Sequence, residues 1–224
     1  MAGWSHKENT ASEITKPVAG EKGMFYRRML REIIKQVEIN VLHCYNMRPM
    51  VKFLIKQYQG HETEDLVGAE IGVGFGHNSY NILYNLPVKR HYLIDPYLKY
   101  TEWDGGEEQT FHETVYNEAR KYLAEFGDKA VFIRKKSDEA TKEIKEPLDF
   151  IYIDGNHWYE FVKKDIDLFY PKIKSGGVIG GHDFTACRGP DIRNAEVPRA
   201  VIDFIDKEGL ELEGHPSDWW VIKP

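Results

Sequence analysis

From Leu66 onward, short apolar runs rich in β-branched residues alternate with longer amphipathic stretches, and no other feature restricts the fold as much. Strands are expected at Val67–Gly72, His91–Asp95, Ala130–Arg134, Phe150–Asp154 and Gly177–Gly181, with helices between them at Asn78–Leu86, Gln109–Phe126, Ser137–Ile144 and Trp158–Tyr170. Each strand–helix–strand unit needs a crossover, and repeated crossovers give a parallel sheet covered by helices on both faces. The chain then departs from simple alternation. An amphipathic helix at Val197–Lys207 leads into two short strands, Leu210–Glu213 and Trp219–Ile222. The residues joining them, Gly214-His215-Pro216-Ser217, are turn formers, which predicts an antiparallel hairpin. The expected fold is α/β: a doubly wound, mostly parallel seven-stranded sheet, Rossmann-like, closed by a C-terminal antiparallel hairpin.

Ahead of the sheet, Met29, Leu30, Ile33, Ile34 and Val37 form a helical stripe over 24–36, and a second helix is expected from Pro49 to Tyr58, stopped by Gly60. This divides the chain into an N-terminal arm (1–22), a helical cap (23–65) and the α/β domain (66–224). No apolar run approaches the roughly 20 residues of a membrane span, and the first residues carry no apolar leader segment. Cys44 and Cys187 are too few for a disulfide framework, so a cytoplasmic protein is expected. The net charge of −6 argues against a nucleic-acid partner, and the one basic cluster, Arg134-Lys135-Lys136, is countered at once by Asp138 and Glu139. Tyr26, Arg27, Arg28, His43 and Tyr45 make the cap a mixed surface compatible with a small-molecule acceptor or with a homodimer.

Where the first strand hands over to a helix the sequence reads Glu70-Ile71-Gly72-Val73-Gly74-Phe75-Gly76. Glycines there admit positive φ and let backbone approach a ligand closely. Asp95 ends the second strand 19 residues beyond Gly76, where an acid commonly accepts hydrogen bonds from ribose hydroxyls. The dinucleotide pattern G-x-G-x-x-G would need glycine at position 77, which is His77. Glu70, two residues ahead of the first glycine, favours a cofactor that carries positive charge over a pyrophosphate.

Two later strand ends carry a second group of polar residues. The fourth strand closes on Asp154-Gly155-Asn156-His157-Trp158-Tyr159-Glu160, and the fifth on Gly180-Gly181-His182-Asp183-Phe184. Ligands of open α/β sheets gather outside the carboxyl ends of the strands, so Asp154, His157, His182 and Asp183 should meet at the same rim as the glycine loop. The polar loop Thr185–Arg193 reads equally as a substrate lid or a solvated loop, and Tyr97, Trp103 and Gly105-Gly106 are candidates for the opposite wall.

On these motifs the sequence from about Leu66 to Ile222 resembles the class I S-adenosylmethionine-dependent methyltransferases. Within them it is similar to the branch of macrocin O-methyltransferase (methyltransferase family 24), through D-G-x-H-x-Y-E and G-G-x-x-x-x-H-D-F. The resemblance implies that Gly72, Gly74 and Gly76 back the methionine part of the cofactor and that Asp95 holds the ribose. Ser137 would border the adenine, unless it serves as a helix N-cap; the two roles are compatible. Glu70 and Asp154 complete the implied cofactor set. Members of this branch are commonly dependent on Mg2+ or another divalent cation such as Mn2+, and methylate hydroxyl groups, often on sugars. Carried over, Asp154 and Asp183 are metal ligands, His182 the third ligand, and His157 the general base. His182 is the departure, since relatives often carry an acid there. An imidazole titrating near about 6.5 suits proton removal at neutral pH. Open alternatives are a metal-independent methyltransferase, a nicotinamide-dependent oxidoreductase on a similar sheet, and a non-catalytic cofactor sensor.

Overall fold

The central strands are apolar on both faces, as burial between two helical layers requires. In the computed structural model, which describes residues 47–60, 65–98, 109–184, 195–215 and 217–224, β1 (Leu66–Ile71) is buried along its whole length and β4 (Leu148–Ile153) nearly so. With β2 (Val88–Ile94), β3 (Ala130–Ile133) and β5 (Ile173–Gly181) they form a parallel array. The hairpin strands β6 (Glu213–His215) and β7 (Asp218–Ile222) complete a seven-stranded sheet in the order β3-β2-β1-β4-β5-β7-β6. β7 runs antiparallel to both β5 and β6, so the last strand of the sheet in chain order lies between them. Strand order reverses between β1 and β4, the place where an open α/β sheet leaves a crevice.

Helices α1 (Pro49–Gln57), α2 (His77–Asn85), α3 (Gln109–Tyr122), α4 (Ser137–Ala140), α5 (Tyr159–Phe169) and α6 (Glu196–Glu208) accompany the strands. The expected α/β class and antiparallel finish are both present. Several boundaries differ. β2 begins at the fully buried Val88, with outward-facing Lys89 and Arg90 breaking the apolar run that the sequence pattern follows. Arg90 is bonded to Glu146 and to the hydroxyl of Tyr92. β5 begins at Ile173, because a register irregularity lets Ile173 pair with Leu148 ahead of the Gly176-Gly177 step. The hairpin turn is shorter than expected. His215 pairs with Asp218, and Gly214 stands inside β6, where a Cβ would lie 2.8 Å from the Asp218 carbonyl oxygen. The arm 1–22, the helix expected at 24–36, the cap residues Tyr26, Arg27, Arg28, His43 and Tyr45, the wall candidates Trp103, Gly105 and Gly106, and the loop Thr185–Arg193 lie outside the described residues. Among the described residues no helix is long and apolar enough to cross a membrane.

α1 belongs with the sheet, within a unit that spans Met47–Pro224. Met50, Val51 and Leu54 are fully buried, and Phe53 stacks on Trp220 at 5.0 Å between ring centres. The attachment is polar as well. Asp218, 1% exposed, accepts from the Met50 amide at 2.9 Å and from the Tyr152 hydroxyl at 3.1 Å. Burial pushes this carboxyl above its ordinary range, and those bonds act against the shift. Replacing Asp218 by Ala leaves two buried donors without partners, and each such group costs about 1–3 kcal/mol. Urea unfolding of Asp218→Ala should therefore show a loss of about 2–6 kcal/mol. Asp218→Asn, which keeps one acceptor oxygen, should lose less.

Candidate active site

The parallel ladders do not stop where the strands stop. The amide of Gly72 bonds the carbonyl of Ile94 at 2.9 Å, that of Asp154 bonds Ile71 at 2.8 Å, that of His182 bonds Ile153 at 3.0 Å, and that of Asp95 bonds Ile133 at 3.3 Å. The first residue after each strand is therefore clamped to the strand beside it, and four loops leave the sheet in step.

Two of these loops touch through backbone. A Cβ on Gly72 (φ +84) would sit 2.0 Å from the carbonyl oxygen of Asp154, so only glycine fits there. Gly74 (φ +52) faces open space, and Gly76 (φ +83) is the left-handed N-cap of α2. Asp95 is folded onto this loop. One oxygen accepts from the amides of Val73 and Gly74, both at 3.1 Å, and the other from the amide of Tyr97 at 2.8 Å. Burial raises this carboxyl, and the three amides pull it back. Tyr97 closes the clamp: its backbone is left-handed (φ 49) and its hydroxyl donates to the Gly74 carbonyl at 3.0 Å. Glu70 lies behind the loop. It is 1% exposed and accepts from Asn78 Nδ2 at 3.1 Å and from Ser79 Oγ, so its carboxylate anchors the start of α2.

Ser137 differs from its expected capping role. Lys136 is the N-cap of α4, and Ser137 is the first helical residue, its side chain bonded to Asp165. The helix ends at Ala140, and turns carry the chain to the fully buried Ile144. Asp165, which the sequence reading did not single out, is buried on α5 beneath the loops that follow β3 and β4.

At the ends of β4 and β5 the four predicted residues converge. Asp183 presents its two oxygens to two imidazoles, Oδ1 to His182 Nδ1 at 3.1 Å and Oδ2 to His157 Nε2 at 2.9 Å. Asp154 Oδ1 stands 3.5 Å from His157 Nε2 and 3.7 Å from His182 Nδ1. One ligand atom each from Asp154, His182 and Asp183 lies within 4.8 Å of the other two. Asp183 reaches this position through a left-handed backbone (φ 58), a conformation that costs a non-glycine residue energy and recurs at functional sites. Its carboxyl is held well below the usual range by the hydrogen bond from His157 first and that from His182 second, so it is ionised at any physiological pH.

A fifth residue at the cluster comes from the segment ahead of α1. Arg48 Nη1 contacts His182 Nε2, and its Nη2 lies 3.5 Å from Asp154 Oδ2. Ser217 Oγ, from the hairpin turn, is 2.5 Å from the same His182 nitrogen. Sequence reasoning missed both, since nothing local marks an arginine before a proline or a serine in a turn.

A family model described as a methyltransferase domain matches residues 69–184, over half of the chain, and takes in the glycine loop and both strand ends. The chain belongs to this methyltransferase family. Its assignment decides against the nicotinamide-dependent alternative. Among solved structures the methyltransferase resembles the O-methyltransferase NovP, with a TM-score of 0.57 and 15% identity over 77% of each chain. It also resembles the Bacillus cereus O-methyltransferase in complex with SAH, with a TM-score of 0.56 and 16% identity over 83% of this chain and 89% of that one. A protein of Acanthamoeba polyphaga mimivirus, R132, is 24% identical over 124 residues, and one of Sinorhizobium fredii, y4gI, is 29% identical over 83 residues. The chain spans 53% of the first and 9% of the second.

Asp165 gives this methyltransferase a testable pH dependence. Burial raises its carboxyl from the ordinary 3.8 to about 6, against the opposing bond from Ser137. A folded-state value above the unfolded one means that the group favours folding at low pH, and that this contribution is lost as pH rises through about 6. Asp165→Asn should therefore unfold at higher urea than the parent at pH 8, by at most about 3 kcal/mol, with the gap closing at pH 4.

Proposed function

We propose that this methyltransferase transfers a methyl group from S-adenosylmethionine to a hydroxyl oxygen of a small molecule, a sugar being the leading class, with a divalent cation held by Asp154, His182 and Asp183. The observation that carries the reading is the convergence of these three residues and His157 at the rim that also bears the glycine loop. The similarity to solved O-methyltransferases, one of them bound to SAH, supports it.

The residues suit both groups. Open space at Gly74 and the close approach at Gly72 leave a backbone cradle that a side chain would fill. Asp95 uses about three of a carboxylate's four lone-pair positions on the loop and keeps one for a ribose hydroxyl. Two carboxylates and an imidazole are a donor set for a hard cation such as Mg2+ or Mn2+. Such a cation, held by Asp154, His182 and Asp183, would lower the pKa of a hydroxyl that it binds and help to orient it.

The chain's own residues supply the rest. Asp183 Oδ2 lies 2.9 Å from His157 Nε2, and its negative charge stabilises the ring once it takes the acceptor proton. Asp183 thus serves two neighbours through different oxygens. Asp154 is held by its own amide and lies against Gly72, so the cofactor loop and the acceptor side keep a fixed separation.

Arg48 supports a second reading. A guanidinium on Asp154 and His182 already places positive charge at the cluster, as a metal-independent reaction would require.

Thermal unfolding with S-adenosylhomocysteine, Mg2+ and EDTA separates these readings. At 100 times its dissociation constant the homocysteine product should add about 2.7 kcal/mol, a rise of roughly 5–11 °C for a chain of this size. A further rise with Mg2+ that Asp154→Ala removes supports the cation; the same activity in Mg2+ and EDTA supports the second reading. No response to the homocysteine product would overturn the methyl-donor assignment. His157→Ala should lower kcat by about 10²–10⁴ with little change in cofactor affinity.

A further inference from the structure

We propose that Arg48 is a built-in counter-cation of the Asp154–His182–Asp183 cluster, one that a divalent cation must displace, so that Arg48 sets the cation affinity of the site. The inference rests on the cation-dependent reading above. It begins from charge. The Asp154 and Asp183 carboxylates both lie within 3.7 Å of His182 Nδ1, and two anions so close need a positive neighbour. Among the described residues the guanidinium that reaches this pair is that of Arg48, which lies 3.5 Å from Oδ2 of Asp154.

Hydrogen-bond directionality makes Arg48 and a cation exclusive. A guanidinium only donates, so its contact with His182 Nε2 makes that nitrogen the acceptor and places the ring proton on Nδ1. Nδ1 is the nitrogen that faces Asp154 and Asp183, and while it carries a proton it cannot ligate. For Nδ1 to ligate, the proton must stand on Nε2. Ser217 Oγ, 2.5 Å away, is in place to accept it there, but Arg48 Nη1 then has no acceptor and faces another donor. A divalent charge on Asp154 would repel the guanidinium besides. Arg48 therefore leaves when a cation enters.

The backbone allows that exchange. Arg48 precedes Pro49, which restricts it to extended conformations, and the observed φ −59, ψ 143 satisfies this. The following residue is pinned, since the Met50 amide is bonded to Asp218. The side chain is about one-third exposed, which gives it a route into solvent without any movement of α1. Two states follow from a rotamer change of Arg48 and a shift of the His182 ring proton: Arg48 inward with the proton on Nδ1, and Arg48 outward with the proton on Nε2, facing Ser217 Oγ, and Nδ1 open to a cation.

The test is a titration of Mn2+ into the full chain, followed by the electron paramagnetic resonance signal of free Mn2+, for the parent, Arg48→Met and Arg48→Gln. If the inward state outnumbers the open one about tenfold, removing the guanidinium should tighten the apparent Kd about tenfold. Arg48→Gln serves if Arg48→Met does not fold. Equal or weaker Mn2+ binding in a folded variant, with clear binding by the parent, overturns the displacement proposal and leaves the cation-dependent reading standing. Absence of Mn2+ binding in the parent and in both variants overturns both.

Discussion

The contact between Gly72 and the Asp154 carbonyl is the constraint on which the site depends. β1 and β4 are neighbours in the sheet although widely separated in the chain, and the strand order reverses between them. The loops that leave these strands meet with no room for a Cβ at Gly72. One loop carries Gly72, Gly74 and Gly76, and the other carries Asp154 and His157. Their separation is set by main-chain packing, which is stiffer than any side-chain arrangement. The clamped amides of Asp154 and His182 extend the same control to β5.

Much of this organisation was legible in the sequence because it depends on period and position. Apolar runs of strand length separated by amphipathic stretches specify a parallel sheet, and residues at the ends of its strands must share a rim. That reasoning is enough to bring Asp154, His157, His182 and Asp183 together. It failed where long-range packing decides. Ser137 has the chemistry of a cap, yet it is drawn to Asp165 on a helix nearly thirty residues away. Nothing local in the sequence shows that Glu70, on a fully buried strand, bonds Ser79 and Asn78 at the start of α2. Arg48 and Ser217 come from opposite ends of the described chain, and no local pattern marks either. Gly214 reads as a turn residue because glycine favours turns; within the hairpin it is a strand residue that makes room for the Asp218 carbonyl.

The polar groups fall into two layers with different tasks. Glu70, Asp165 and Asp218 are buried; Glu70 and Asp218 tie helices to the sheet, and Asp165 ties α5 to α4. Asp154, His157, His182 and Asp183 are only partly covered and bond mainly to one another. The buried layer removes freedom from the elements that carry the exposed one, so the rim side chains need few partners of their own. Asp183 illustrates the division: its strained backbone is tolerated because Phe184, the next residue, is bonded through its amide to the Ser217 carbonyl.

The position of β7 also bears on how the protein is made. It is the last strand of the sheet to leave the ribosome, and it occupies an interior place between β5 and β6. Until it arrives, β5 is an open edge, His182 lacks Ser217, and Met50 lacks the acceptor that seats α1. Strands β1 to β5 are able to assemble earlier, with the glycine cradle among them. The glycine loop is thus in place before the Asp154–His182–Asp183 cluster gains its last neighbours, and a late, long-range step of high contact order divides the two stages.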